Sequence, residues 1–527
     1  MKSNIRTKSL GPSLDRGVVF RFVLFCSFVL FLVPNHYAQA NQKKVKLIHT
    51  DELQFDRSLV DAQRLIGNVH LEYEGTQFYC DSAYLFSNDD FDAFSRIRIL
   101  GSGGYNVTGD FLHFDKAAQT ATIQRNITLR DNDMTLTTDF LIYHVDTEIA
   151  NYTGGGRIVS NANKNTLTSN KGIYHSKQDV FYFRDDVVLK NPEYTVNCDT
   201  MQYNNLSEVT YFFGPTTIVG KETSMYCENG YYNTKKDLSR FGKNAIITSE
   251  TTTLKGDSMF YDGNLGVGEV FRNVEIRDTT EDYIIQGDYG KHFEKSELSF
   301  VTGHALMTQI FDADSLFMHA DTLKSISDTS GKDVVYAFHH VKFFKSDLQG
   351  KCDSLVYSSI DSTLQMFYSP VLWSEQNQIT GDSISLRNAN GKMDALLVVG
   401  NAFIISDAEA KGDSILGTGK YNQIKGRRLN GKFVDNDLSE VYVEGNGQLI
   451  YFPTDEEDKK PVAMGINKGE CSNIHIRVKD NQLTKIRMET ETNSVFTPMS
   501  MSDKSTFKLE NFIWRNDERP KSVEEIF

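Results

Sequence analysis

The sequence predicts an all-β protein, a stack of about thirteen repeats of ~30 residues closed by a small C-terminal cap. Three observations predict it. An acidic residue behind a small one recurs at near-constant spacing, and the residues around it alternate apolar and polar as in a strand with one buried face. A 3.6-residue apolar period is absent, except over the last few residues after Pro520.

Taken in chain order, residues 1–40 read as an export signal. Lys2, Arg6, Lys8, Arg16 and Arg21 precede an apolar run from Phe22 to Val33, and Ala38-Gln39-Ala40 offers small residues for cleavage, so the mature chain is expected to begin near Asn41. The run is too short to cross a bilayer as a helix, which takes roughly 20 apolar residues. The net charge of −14 becomes −18 once five positive residues and Asp15 are removed. Such a surface repels nucleic acid. The cysteines after the signal are Cys80, Cys198, Cys227, Cys352 and Cys471, with no C-x-x-C pair, so neither a disulfide scaffold nor a zinc site is indicated.

The repeat occupies residues 41–452. Its marker appears at Asp51, Asp81, Asp110, Asp139, Asp199, Glu228, Asp257, Asp288, Asp321, Asp353, Asp382 and Asp413, with Asn170 as a neutral equivalent. Two positions after it stand residues such as Leu141, Met201, Met259, Leu355 and Ile384; four after it stand Phe55, Leu85, Phe114, Tyr143, Tyr174, Tyr203, Tyr232, Tyr261, Tyr357 and Leu386. Three before it the apolar residue returns, as Phe78, Val107, Leu136, Val196 or Met225. An interval of five from −3 to +2 would put these on opposite faces of a straight strand. The chain is therefore expected to bend or bulge at the marker, where a small residue beside Asp suits a corner. Four of the cysteines fill that small position, which elsewhere holds Gly, Thr, Ser or Ala. Cys198 and Cys227 fall in adjacent repeats and are the pair placed to approach disulfide range, ~5.5 Å between Cα atoms.

A second strand follows in each repeat, often behind Gly or Asn, as in Gly67-Asn68-Val69-His70-Leu71 and Asn126-Ile127-Thr128-Leu129. At three repeats the +2 position is glycine, Gly172, Gly230 and Gly290, which would leave interior space unfilled. Residues 453–527 differ in texture. A charged loop is expected at Asp455 to Lys460, strands at Ser472 to Val478 and Leu483 to Met488, and the region reads as a β cap over the last winding or a docking surface.

The pattern small-Asp-x-apolar-x-aromatic, clearest in Cys80 to Phe86, Thr138 to Tyr143, Cys198 to Tyr203, Gly256 to Tyr261 and Cys352 to Tyr357, with the Gly67-Asn68-Val69 strand, resembles the LptA/OstA family. The resemblance covers residues ~45 to ~450 through the repeat. It implies an elongated β-jellyroll of V-shaped two-sheet section whose apolar groove carries the acyl chains of lipopolysaccharide in the periplasm of a Gram-negative cell, or in association with its outer membrane. Partners implied are the inner- and outer-membrane lipopolysaccharide-transport proteins, joined by edge-strand pairing, with head-to-tail self-association available by the same edges. The fifteen +2 and +4 residues named above are the candidate groove lining.

An enzyme is not expected, and no cofactor or metal is called for. Gly426 to Lys432 has phosphate-loop spacing, but Phe433 stands where Ser or Thr must meet magnesium. His339 and His340 are sequential and so unsuited to one metal on a strand. One carboxylate per repeat falls short of the 6–8 oxygens of a calcium site. Two functions stay open, a lipid conduit and a non-catalytic structural or surface solenoid, and the width of the gap between the two sheets separates them.

Overall fold

The computed structural model describes residues 44–527 apart from 56–60, 102–103, 131–133, 161–164, 279–281, 297, 312–313, 328–332, 390–391, 409–418, 435–436, 458–459 and 480–481. The expected export signal and the marker Asp413 lie outside the described residues. What is described is all-β, with 34 strands, six short 3-10 turns and no α-helix. The residues after Pro520 form one of those turns, Val523–Ile526.

From Ala62 to Ser358 each ~30-residue repeat supplies two strands of ten to thirteen residues, one carrying the marker and one returning, and consecutive strands pair antiparallel. The strand Tyr194–Asn204 shows how sequence sets its shape. Val196, Cys198, Met201 and Tyr203 are buried while Asn197 and Asp199 are exposed, so −3, −1, +2 and +4 all face inward. A single face can hold an odd interval only if one residue drops out of register. The ladder to Val209–Gly220 breaks between Cys198 and Thr200, at the marker Asp199. The same break recurs opposite Asp81, Asp110 and Asp353.

Across from a marker the returning strand commonly spends two residues in the left-handed region, such as Ser95-Arg96, Arg125-Asn126, Asp185-Asp186, Lys243-Asn244 and His339-His340. That conformation costs L-residues with side chains about 1–2 kcal/mol each. The marker helps offset it. Asn126 Nδ2 donates to Asp110 at 2.6 Å, Asn244 to Glu228 at 2.7 Å, Asn68 to Asp51 at 2.8 Å and Asn401 to Asp382 at 3.0 Å, while Arg96 Nε donates to Asp81 at 2.8 Å. At the corner that opens on Gly400 (φ +72°), an added Cβ would stand 2.1 Å from the Asp382 carboxylate, so only glycine fits.

A strand with a corner is folded into two halves that face each other. Phe78, before its corner, lies 5.3 Å from Phe91 and 6.3 Å from Phe114, which belong to the halves beyond it. The chain divides into two compact units, one reaching Glu250 with Gly256–Gly266 added, the other comprising Thr251–Lys255 and Val267–Phe527. Each has its own apolar interior, from Val45 to Phe212 in the first and Val301 to Ile476 in the second.

The second unit carries the region expected as a cap. Its jellyroll continues past Phe452 through Gly465–Lys479, which pairs on one half with Gln482–Glu489 and on the other with Asn493–Pro498. The expected strands 472–478 and 483–488 lie in these elements. The expected charged loop is a hairpin instead, Thr454–Glu457 against Lys460–Ala463. Residues 503–527 then run back as an irregular strap, touching Gln423, Gln378, Lys351 and Lys342 in turn.

Candidate functional site: the interior and its tyrosine margin

The fifteen candidate residues separate into two environments. The +2 residues Leu141, Met201, Met259, Leu355 and Ile384 are all 4 % exposed or less, and Phe114, Tyr203 and Leu386 at +4 join them in the core. Leu85, Tyr143, Tyr174, Tyr232 and Tyr261 at +4 are half-buried; Tyr357 is 36 % and Phe55 54 % exposed. Within the first unit, Leu85, Tyr143, Tyr174 and Tyr232 pack against the core from its margin, as do Tyr105 and Tyr194 from the opposite ends of marker strands.

The tyrosines are not direct neighbours. Tyr143 and Tyr174 both pair with Ala150, Tyr174 and Tyr203 with Phe181, and Tyr203 and Tyr232 with Thr210, because a returning strand runs between each two marker strands. Strands ~4.8 Å apart then put successive tyrosines ~9.6 Å apart, twice the ~5 Å of a contiguous ladder. From Phe114 to Tyr232 the row of large rings is interleaved with the small Ala121, Ala150, Thr210 and Ser239 and with the large Phe181. These returning-strand residues are not singled out by a scan keyed on the acidic marker. Their signal was the alternation leading up to each Asn or Gly corner.

Burial pushes the Tyr143 phenol up to about 12. Tyr203 is raised by burial, and Tyr232 by burial and then by Asp237, whose carboxylate accepts its hydroxyl at 3.1 Å. Tyr143, Tyr203 and Tyr232 are therefore neutral across physiological pH, each ring offering an apolar flank with a polar tip. The tips of Tyr174 and Tyr232 donate to the carboxylates of Asp179 and Asp237.

The interior glycines do not leave open space. Tyr152 fills the room at Gly172, its ring 2.1 Å from where a Cβ would stand and its hydroxyl hydrogen-bonded to Ser169 at 2.5 Å. At Gly230 an added Cβ would meet the Arg240 carbonyl at 2.7 Å and the Phe241 ring at 3.2 Å. Gly290 is bounded more loosely, by Val274 at 3.3 Å and Val301 at 3.8 Å. A large residue on a neighbouring strand thus compensates the missing side chain at Gly172 and Gly230.

The five described cysteines are free and buried, and burial raises the thiols of Cys80, Cys198 and Cys352 to about 12. Cys198 and Cys227 each pair with Thr216, so a strand separates them. Two strand spacings, ~9.6 Å, exceed the ~7 Å limit for a bridge. His339 and His340 sit at one corner and turn to different carboxylates, Asp353 at 3.2 Å and Asp321 at 2.9 Å. The stretch with phosphate-loop spacing lies in the strand Tyr421–Val434, paired on both sides.

Residues 42–199 match the family model described as OstA-like protein. No curated protein matches the chain. Among solved structures it is similar to the crystal structure of LptH, "the LptA homologous periplasmic component of the conserved lipopolysaccharide transport device from Pseudomonas aeruginosa", at 20 % identity over 19 % of this chain and 75 % of that one, with a TM-score of 0.18.

Proposed function

From a chain that is OstA-like over residues 42–199, we propose a periplasmic, non-catalytic lipid-binding protein that takes the acyl chains of lipopolysaccharide along the tyrosine margin of its apolar interior and passes them toward the outer membrane. The observation that carries this is the graded burial. The +2 residues named above are closed core, whereas Tyr143, Tyr174, Tyr232 and Tyr261 form a half-open row of rings with notches over Ala121, Ala150, Thr210 and Ser239, its hydroxyl tips turned to carboxylates such as Asp179 and Asp237. An acyl chain laid there gains ~25 cal/mol per Å² of apolar surface removed from water. Transport along it is passive, and a partner elsewhere supplies the energy.

Partners are proposed to join by strand addition. In the first unit Lys46–His49 and Glu52–Phe55 are exposed throughout and pair with Ala62–Tyr73. In the second unit Asn493–Pro498 exposes Val495 and Phe496. Open edges of this kind accept another chain.

A packed solenoid with a purely structural role is the second reading, and the contact of Phe78 with Phe91 and Phe114 across the interior favours it. A photo-crosslinking residue separates the two. Placed at Tyr143, Tyr174 or Tyr232 in cells, it is expected to capture lipopolysaccharide, whereas at the outward-facing Gln202 or Asn204 it is not. Tyr232→Asp puts a carboxylate into the apolar row, at a cost of several kcal/mol if it is unpaired, and is expected to block transfer while the fold persists. Capture at neither parity, or at both alike, favours the structural reading.

A further inference from the structure

The outward face of the second unit differs from the rest of the molecule at one row. Reading across six paired strands, the row is Gln349, Trp373, Gln378, Ile405, Gln423 and Ile450. All are 2 % exposed or less, although each points away from the interior, whose neighbouring residues are Gly350, Leu372, Ile379, Ile404, Ile424 and Leu449. The strap is what covers them.

Two of the three glutamines hold it by its main chain. Gln423 Nε2 donates to the Phe507 carbonyl at 2.7 Å and its Oε1 accepts from Leu509 N–H at 2.8 Å. Gln378 repeats the geometry one step on, with the Ile513 carbonyl at 2.8 Å and Arg515 N–H at 2.7 Å. Each amide thus brackets one strap residue, Lys508 or Trp514, and stands in for a peptide group of a neighbouring strand. Gln349 accepts from Arg519 Nε at 2.7 Å. A buried amide without partners is costly, and so is an unpaired main chain; here each satisfies the other. Apolar anchors lie alongside. Phe507 packs on Phe452 at 5.3 Å, and Phe512 and Trp514 pack on Tyr421 at 5.3 and 5.0 Å. These contacts form clusters separate from the interior core. Gln349 and Gln378 stand four residues before the markers Asp353 and Asp382; at that place in the first unit stand Gln77, Asn106, Thr135, Thr166, Thr195 and Ser224, none of them buried.

We infer that this row is a peptide-binding groove on the outer face of the jellyroll, and that residues 503–527 are its ligand, bound in cis. Its chemistry selects a peptide that offers a carbonyl and an N–H two residues apart at two places, an aromatic residue before the second place and another within it, and an arginine beyond. This assignment is independent of what the interior carries.

The test uses the full chain with a specific protease site inserted between Ser502 and Asp503. Trp373 in the groove and Trp514 on the strap are the only tryptophans and report on the contact. After cleavage the tail is expected to stay bound and to exchange with excess labelled synthetic peptide of residues 503–527, with the strands still folded by circular dichroism. A peptide carrying Trp514→Ala, which leaves the protein untouched, is expected to bind at least tenfold more weakly, as is the native peptide to a Gln378→Leu chain. A tail that exchanges only when the strands unfold would show it to be core and overturn the inference, and so would equal binding of a scrambled peptide. Tail-exchanged dimers of the uncut chain on size exclusion would assign the groove to a second copy and overturn binding in cis.

Discussion

The strand Tyr194–Asn204 of the first unit and the strands Val371–Ser374 and Lys392–Asp407 of the second are built on one repeat and buried differently. In the first, buried and open positions alternate on either side of the corner. In the second, Val371-Leu372-Trp373 and Phe403-Ile404-Ile405 are buried without a break, because interior core covers one face and the strap the other. Outward aromatics of the first unit remain open, with Tyr211 36 % and Phe213 44 % exposed, while Trp373 is 0 %. The interior and the corner are thus properties of the repeat. The outer face is free to vary, and it is where one winding acquires a role its neighbours lack.

The largest expected effect separates the two regions directly. Trp373→Ala removes a fully buried indole held between Gln349 and Gln378 and is expected to destabilise the second unit by about 3–5 kcal/mol, the range for large-to-small changes in a core. Arg130 occupies the corresponding place in the first unit, between Asn106 and Thr135, and is exposed. Arg130→Ala is expected to fall within about 0.5 kcal/mol. Urea melts followed by far-ultraviolet circular dichroism, with Trp514 emission reporting on the second unit, give both numbers. Equal costs would mean that the strap adds no second core.

Corner substitutions should cut across the comparison. Asn126 (φ +53°) and Asn401 (φ +51°) hold the same place in the two units, left-handed and donating to a marker carboxylate. Valine there loses the hydrogen bond and adds β-branched strain, an expected cost of roughly 1–3 kcal/mol in either unit. The same melts measure it. A cost confined to one unit would show that the corner is not a common device.

Much of this was legible in the residues. The odd interval from Val196 to Met201 required a break at Asp199, and the break is there. The marker alone did not reveal that two residues across the ladder turn left-handed and bond to it, since that contact joins different strands. The candidate lining was identified by parity, which does not distinguish Met201 in closed core from Tyr232 at the margin; depth depends on the facing half-strand. Gly172 illustrates the same limit, its space being filled by Tyr152 from the neighbouring strand. The covered outer face did leave a signal. Val371-Leu372-Trp373 and Phe403-Ile404-Ile405 are continuous apolar runs in a chain that otherwise alternates, as expected of strands buried on both faces.

The smallest effect tests how the strap is latched. Glu518 receives Arg515 through two hydrogen bonds at 2.7 and 2.8 Å and Lys351 at 2.7 Å, and these hold its carboxyl at about 2, down from 4.5, with Arg515 the larger cause. A carboxylate whose pKa is lowered in the folded state stabilises that state fully above its ordinary pKa, and the contribution fades as pH falls toward the folded value. Strap attachment is therefore expected to be constant from neutral pH down to about 5 and to weaken between roughly 4.5 and 2. Glu518→Gln keeps an acceptor for Arg515 but has no charge to lose. Its Trp514 emission should be flatter through that window, and its strap slightly weaker at pH 7, by about 1 kcal/mol or less for a pair this open to water. A variant whose acid profile matches the parent would place the acid-sensitive step elsewhere and leave the glutamine amides and aromatic anchors to hold the strap alone.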